Sequence, residues 1–329
     1  KFVKFINNFF YKNKKLKKFK LKKISNLSLS IILFINLLFL YLFYLSIPIL
    51  YNKESLQKDL TLKLSNEFNL NTSLSSNIIY KILPSPNFEI SDVVLSTRGD
   101  ENFNEFAKVK KLKIYISSLN LYNQKKIKIR EINFLNTNFN VNKNTFNYIN
   151  NYLKKKISPK KIEIKKSKIF FREDSDSKDV IALYTIKKSN LIHDKKNNIN
   201  KASIYGSIFN TDLDLLFSRT LKKKEIKLNL ILKKINTRIK NNLFVDLKKI
   251  NSSNGNTTIN FFNSEIKLNY KIKNNIISFF SEESKVNKNN VKIEGFVNYA
   301  PFFYDLNIKL KKVDAIKVFY NFLKIEKFF

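Results

Sequence analysis

Glu265-Ile266-Lys267-Leu268-Asn269-Tyr270-Lys271-Ile272 places an apolar side chain at every second position, with a charged or amide side chain between. A strand points successive side chains to opposite faces, so this stretch separates into one greasy and one wet surface. The pattern recurs: Leu112, Ile114 and Ile116 alternate with Lys111, Lys113 and Tyr115, and Ile162 with Ile164. Ile226, Leu228, Leu230 and Leu232 repeat it, as do Tyr304, Leu306, Ile308 and Leu310. Strict alternation indicates a mainly β chain built on an antiparallel sheet with water on one side. Past Asn71 the chain reads as a meander of a dozen or more short strands. Leu112, Ile114, Ile116, Ile226, Leu228, Leu230, Leu232, Ile266, Leu268, Tyr270, Ile272, Tyr304, Leu306, Ile308 and Leu310 become candidates for lining one apolar face. Alternation does not say whether that face is an open groove or the core of a closed sandwich.

Turn chemistry is carried by asparagine, because the chain has only four glycines. Lys-Asn-Asn occurs at Lys196, Lys240, Lys273 and Lys288, each time followed by an aliphatic residue. Asparagine tolerates the positive φ of tight turns, so all four triplets are expected to be turns. Asn254-Gly255 is the conventional hairpin signal. Leu56, Leu60 and Leu64 recur every four residues within 52–70, which reads as an amphipathic helix capping the sheet. Phe146, Ile149 and Leu153 predict a second helix within Asn144–Lys156. Val313, Ile316, Phe319 and Phe322 or Leu323 suggest another at the C-terminal end.

Ahead of the sheet lies a different solvent. Leu27 to Tyr51 carries no charge in 25 positions, long enough as a helix to cross a ~30 Å hydrocarbon core. Ten lysines and no acid lie between Lys1 and Lys23, so 1–26 reads as a cytoplasmic tail and 71–329 as an exported β-rich domain. A cleaved signal peptide would have a shorter apolar run followed by a small-residue site. Ile47-Pro48-Ile49-Leu50-Tyr51 offers none, and a retained single-pass anchor is expected. Asn36 is read as an amide paired within its own helix or with a neighbour.

Formal net charge is +36, a balance that points to nucleic acid or an anionic membrane surface. Yet there are only five arginines (Arg98, Arg130, Arg172, Arg219 and Arg238), and arginine is the residue suited to planar phosphate and base recognition. The abundant Lys, Asn, Ile and Phe share AT-rich codons, so genome composition accounts for much of the charge and nucleic acid is not the expected partner. Cysteine is absent, which excludes disulfides and thiolate chemistry. His193 is the only histidine and reads as a surface or loop residue. Glu173, Asp174, Asp176 and Asp179 lack the register of a calcium loop. Asp212 and Asp214 belong to a wet strand face. No catalytic residue, metal site or cofactor is expected, and the chain does not read as an enzyme.

Ile82-Leu83-Pro84-Ser85-Pro86-Asn87-Phe88-Glu89-Ile90-Ser91-Asp92-Val93, following an anchor and a short helix, resembles the start of the AsmA family of bacterial envelope proteins. Ala107–Ile116, then Ile127–Phe139, Asn144–Leu153 and Ile162–Arg172 follow the order of that family. Ile293-Glu294-Gly295-Phe296-Val297-Asn298-Tyr299-Ala300-Pro301-Phe302-Phe303 is similar as well. The resemblance implies an inner-membrane anchor carrying a periplasmic sheet curled into a groove. It also implies phospholipid acyl chains as cargo and a role in phospholipid transport and outer-membrane biogenesis, with outer-membrane assembly proteins as further partners. Family members are longer and richer in glycine. The missing methionine at position 1 points the same way, to a fragment or short member. Two other functions remain: an assembly factor that binds protein by strand addition, and a membrane-tethered nucleic-acid binder.

Overall fold

The computed structural model describes residues 26–97, 104–173, 179–209, 211–222, 225–245, 252–299, 301–310 and 316. The expected C-terminal helix lies outside them apart from Ile316, as do Asp174, Asp176 and the lysine-rich tail. The chain divides into two units, 1–47 and 48–329.

The first unit holds α1 (Asn26–Ser46). With the short helical turn Ile47–Leu50 it gives an apolar segment, Asn26–Leu50, long enough to cross a membrane. Three of its polar side chains bond carbonyls of the helix itself. Asn36 Nδ2 donates to the Ile32 carbonyl at 2.9 Å, and Ser30 and Ser46 bond the carbonyls of Asn26 and Leu42.

The second unit is one curled sheet of sixteen strands with two helices, α2 (Lys53–Phe68) and α3 (Lys143–Lys154). The strands are β1 (Leu70–Ser73), β2 (Ile78–Lys81), β3 (Asn87–Thr97), β4 (Glu105–Ile116), β5 (Ile129–Val141), β6 (Lys161–Phe171), β7 (Ala182–Asp194) and β8 (Ile199–Ile208). They continue as β9 (Thr211–Thr220), β10 (Glu225–Leu232), β11 (Thr237–Val245), β12 (Ser252–Phe261), β13 (Ser264–Lys273), β14 (Ile276–Val286), β15 (Asn289–Tyr299) and β16 (Phe302–Leu310). Neighbours in sequence are neighbours in space from β3 to β16, while β1 and β2 both pair β3. The sheet is antiparallel with one exception. The pair β5–β6 is parallel, because α3 carries the chain back across the sheet between them.

Two turn expectations are corrected. Lys240-Asn241-Asn242 lies inside β11 and Asn254-Gly255 inside β12. The amide of Asn241 is instead spent on a cross-strand bond, accepting from Tyr270 Oη at 2.7 Å. Turns do form at Asn198 and Asn274, both with φ 54°, and at Asn287 and Lys288.

Strict alternation also fails along one line across the sheet. Asp92, Lys110, Asn136, Lys166 and Lys187 drop out of the ladder on five successive strands. Asp92, Asn136 and Lys166 have φ near +50°. These residues lie opposite one another, so the register across this line is kept from β3 to β7 and shifts by one only at Lys187 against β8. Ile90 and Val93, Leu112 and Val109, and Phe134 and Thr137 are all buried although each pair is three residues apart.

The N-terminal half of the sheet has a closed core. Leu56, Leu60, Leu64 and Phe68 of α2 are buried, and the Phe68 ring meets Phe134 of β5 edge-on with centroids 5.7 Å apart. Asn52 caps α2 by accepting from Ser55 N–H at 2.9 Å, and Asn142 and Thr145 form a reciprocal cap on α3. Tyr148 of α3 donates its hydroxyl to the Phe68 carbonyl, which ties the helices together. Leu64→Ala would leave a cavity in this closed core. We expect a loss of about 2–5 kcal/mol, read as an earlier denaturant midpoint by circular dichroism.

Candidate functional site

Register places all fifteen apolar candidates on one face. A continuous row runs Leu112, Phe134, Ile164, Ser189, Ile204, Leu215, Leu230, Ile239, Ile259, Ile266 over β4 to β13. A second row, Ile226, Leu243, Gly255, Tyr270, Phe279, Gly295, Leu306, carries the same face to β16.

Burial divides the face in two. Leu112, Ile114 and Ile116 are completely buried, in the part of the sheet that α2 packs against. That corrects their reading as groove lining: they are packed core. From β9 to β13 the inward leucines and isoleucines are only half-buried, including Leu228, Leu230, Ile266 and Leu268. A packed sandwich would bury such residues fully. On β15 Val291 and Ile293 are buried, whereas Tyr304, Leu306, Ile308 and Leu310 on the edge strand β16 are 47–61% exposed. The inner side of β8–β16 is thus a single apolar layer, unpaired with any other layer among the described residues.

Glycine and tyrosine shape that layer. At Gly255 an added Cβ would lie 2.4 Å from Tyr270 Oη, and at Gly206 2.7 Å from Tyr184 Oη. Each tyrosine therefore lies flat across a glycine on the neighbouring strand. Burial, with help from the Asp214 charge, pushes the Tyr184 hydroxyl up to about 12.

Arg219 on β9 was not singled out by sequence reasoning. Its register partners are Asn200 on β8 and Ile226 on β10, both on the inner face. Among the described residues that register assigns to the inner side of β8–β16, it is the only charged one. The signal was its phase: Leu213, Leu215 and Phe217 alternate directly into it. His193 is corrected too. It is 2% exposed on β7, with Nδ1 2.8 Å from Asn200 Oδ1.

The outer face is charged. Glu89 sits among Lys81 at 2.9 Å, Lys113 at 2.7 Å and Lys111 at 3.9 Å. Glu163 sits among Lys165 at 2.7 Å, Lys188 at 3.6 Å and Lys161 at 3.8 Å. A concavity of about 570 Å³ also opens over β11–β14, lined in part by Phe244, Asn254, Asn256, Asn269, Lys271 and Phe280. No family model, curated protein or solved structure matches this chain.

Burial pushes the Glu163 carboxyl up, but the lysine hydrogen bond and the three lysine charges outweigh it and hold the group below the usual glutamate range. A carboxylate depressed in the folded state contributes stability that is present above its unfolded pKa and disappears as pH falls through the folded one. Thermal melts from about pH 7 down to about pH 3 should show the wild type losing stability in acid. Glu163→Gln should start lower and lose less.

Proposed function

We propose that this chain is a single-span protein of a bacterial inner membrane, with its N-terminus cytoplasmic and its sheet in the periplasm, and that the inner face of β8–β16 receives phospholipid acyl chains. The observation that carries the proposal is the apolar layer from β9 to β16, half-buried over β9 to β13, continuous in register and unpaired with a second layer among the described residues. Seven interstrand steps of ~4.8 Å give that layer a run of about 34 Å, longer than an extended 16-carbon chain. Such a chain in water costs on the order of 12 kcal/mol at ~0.8 kcal/mol per methylene, a cost that an apolar face removes without a catalytic residue. The resemblance of Ile82–Val93 and Ala107–Ile116 to AsmA proteins supports the same role, in phospholipid transport and outer-membrane biogenesis.

A second reading, binding of a protein partner by strand addition, draws on the exposed edge strand β16. The two differ in which surface matters. Leu268→Asp would set an ionised carboxylate in the apolar layer, where a charge without a partner is costly. It should cut lipid co-purification from membranes about tenfold while circular dichroism still reports a folded sheet. Lys271→Gln, on the outer face, should leave lipid recovery unchanged. Lipid lost with Lys271→Gln and kept with folded Leu268→Asp would place binding on the outer face and refute the groove.

A further inference from the structure

We infer that Arg219 is an anion site within the apolar layer, and that its ligand is the phosphate of a phospholipid headgroup whose acyl chains lie along β9–β16. The inference rests on the groove reading and names what the groove recognises. A guanidinium cannot shed its charge in a protein and offers five N–H donors. One placed on an apolar face needs an acceptor, because an unpaired buried donor is costly.

Arg219 finds no such acceptor in the sheet. Its Nε is buried without a hydrogen-bond partner, and burial lowers its proton affinity with no carboxylate acting to raise it. Neither cross-strand neighbour can help. Ile226 has no polar side-chain atom. Asn200 is fully occupied: Oδ1 accepts from the Ile157 N–H at 3.3 Å and meets His193 Nδ1 at 2.8 Å, while Nδ2 donates to the carbonyls of Lys155 at 2.7 Å and Leu153 at 3.3 Å. With Nδ2 so committed, Oδ1 must be the acceptor, and the His193 proton sits on Nδ1. Glu225, the nearest acid in sequence to this row, lies on the opposite face and pairs with Lys227 at 3.1 Å, and Asp194 pairs with Lys201 at 2.8 Å. The guanidinium is thus left with open donors and is only partly screened from solvent.

The surroundings favour an anion. The backbone held by Asn200 belongs to the segment carrying Lys154, Lys155 and Lys156, all exposed. Three cations beside the row raise the local potential for a negative headgroup. Leu213, Leu215 and Phe217 run from Arg219 along the same strand face, and Ile226 opens the apolar row beside it. One charged point next to a long apolar surface matches a phospholipid, which has one anionic group and two chains. A planar fork also suits phosphate better than a lysine would.

The test uses the full chain in detergent micelles, with two photoactivatable lipids bearing the same diazirine acyl chain: phosphatidylglycerol and diacylglycerol. Wild type should crosslink phosphatidylglycerol about tenfold more than diacylglycerol. Arg219→Gln should lower the phosphatidylglycerol yield to the diacylglycerol level and leave diacylglycerol unchanged, and Arg219→Lys should restore part of the preference. Inorganic phosphate added alone should compete weakly. Equal yields for the two lipids in wild type, unchanged in a folded Arg219→Gln, would overturn the headgroup site while leaving the groove standing. No crosslink of either lipid to wild type would refute the groove itself. Strong competition by millimolar inorganic phosphate would make Arg219 a site for free anions and overturn the headgroup assignment.

Discussion

Everything in the sheet depends on a hydrogen-bonded register that keeps one face apolar across sixteen strands. Slipping a strand by one residue would carry its whole apolar set to the outer side, where lysines and glutamates meet water. The line of unpaired residues from Asp92 to Lys187 bends this rule without breaking it. The inward phase changes on β3 to β7 together, so that those strands stay in register, and the shift is taken up at Lys187 against β8.

One face supports two regimes. Under α2 the layer is doubled, and Phe88, Ile90, Leu112 and Ile114 are completely buried. Beyond α3 it continues as a single layer of half-buried side chains. The join between the regimes is polar. His193, Asn200 and the end of α3 form a closed hydrogen-bond cluster, with Arg219 on its far side. An assembly meant only to be stable would gain little from leaving an arginine unpaired there, which is why its position bears on function.

The alternating runs were legible because solvent lies on one side of each strand. The period around Leu268 and Leu230 reports a physical boundary, and α2 was legible in Leu56, Leu60 and Leu64 for the same reason. The change of phase at Lys110, Asn136 and Lys166 was not, since a lysine or asparagine in a lysine- and asparagine-rich strand carries no distinguishing chemistry. Asn241 and Gly255 were misread as turn residues because local preference yields to cross-strand contact: Tyr270 occupies the space over Gly255 and bonds Asn241. His193 could not be placed from sequence because its burial comes from a loop, Ile157–Ser158, that reaches it only in the fold. The burial of Leu112, Ile114 and Ile116 was invisible too. Their pattern is identical to that of Leu228 and Leu268, and only the position of α2 separates core from open layer.

The most direct measurement is a density map of the full chain purified in lipid nanodiscs. The proposed groove predicts elongated density lying against Leu230, Ile239, Ile259 and Ile266 and running across several strands. A map in which this face is dry and covered by protein, with side chains of another layer interlocked against Leu230 and Ile266, would contradict the groove.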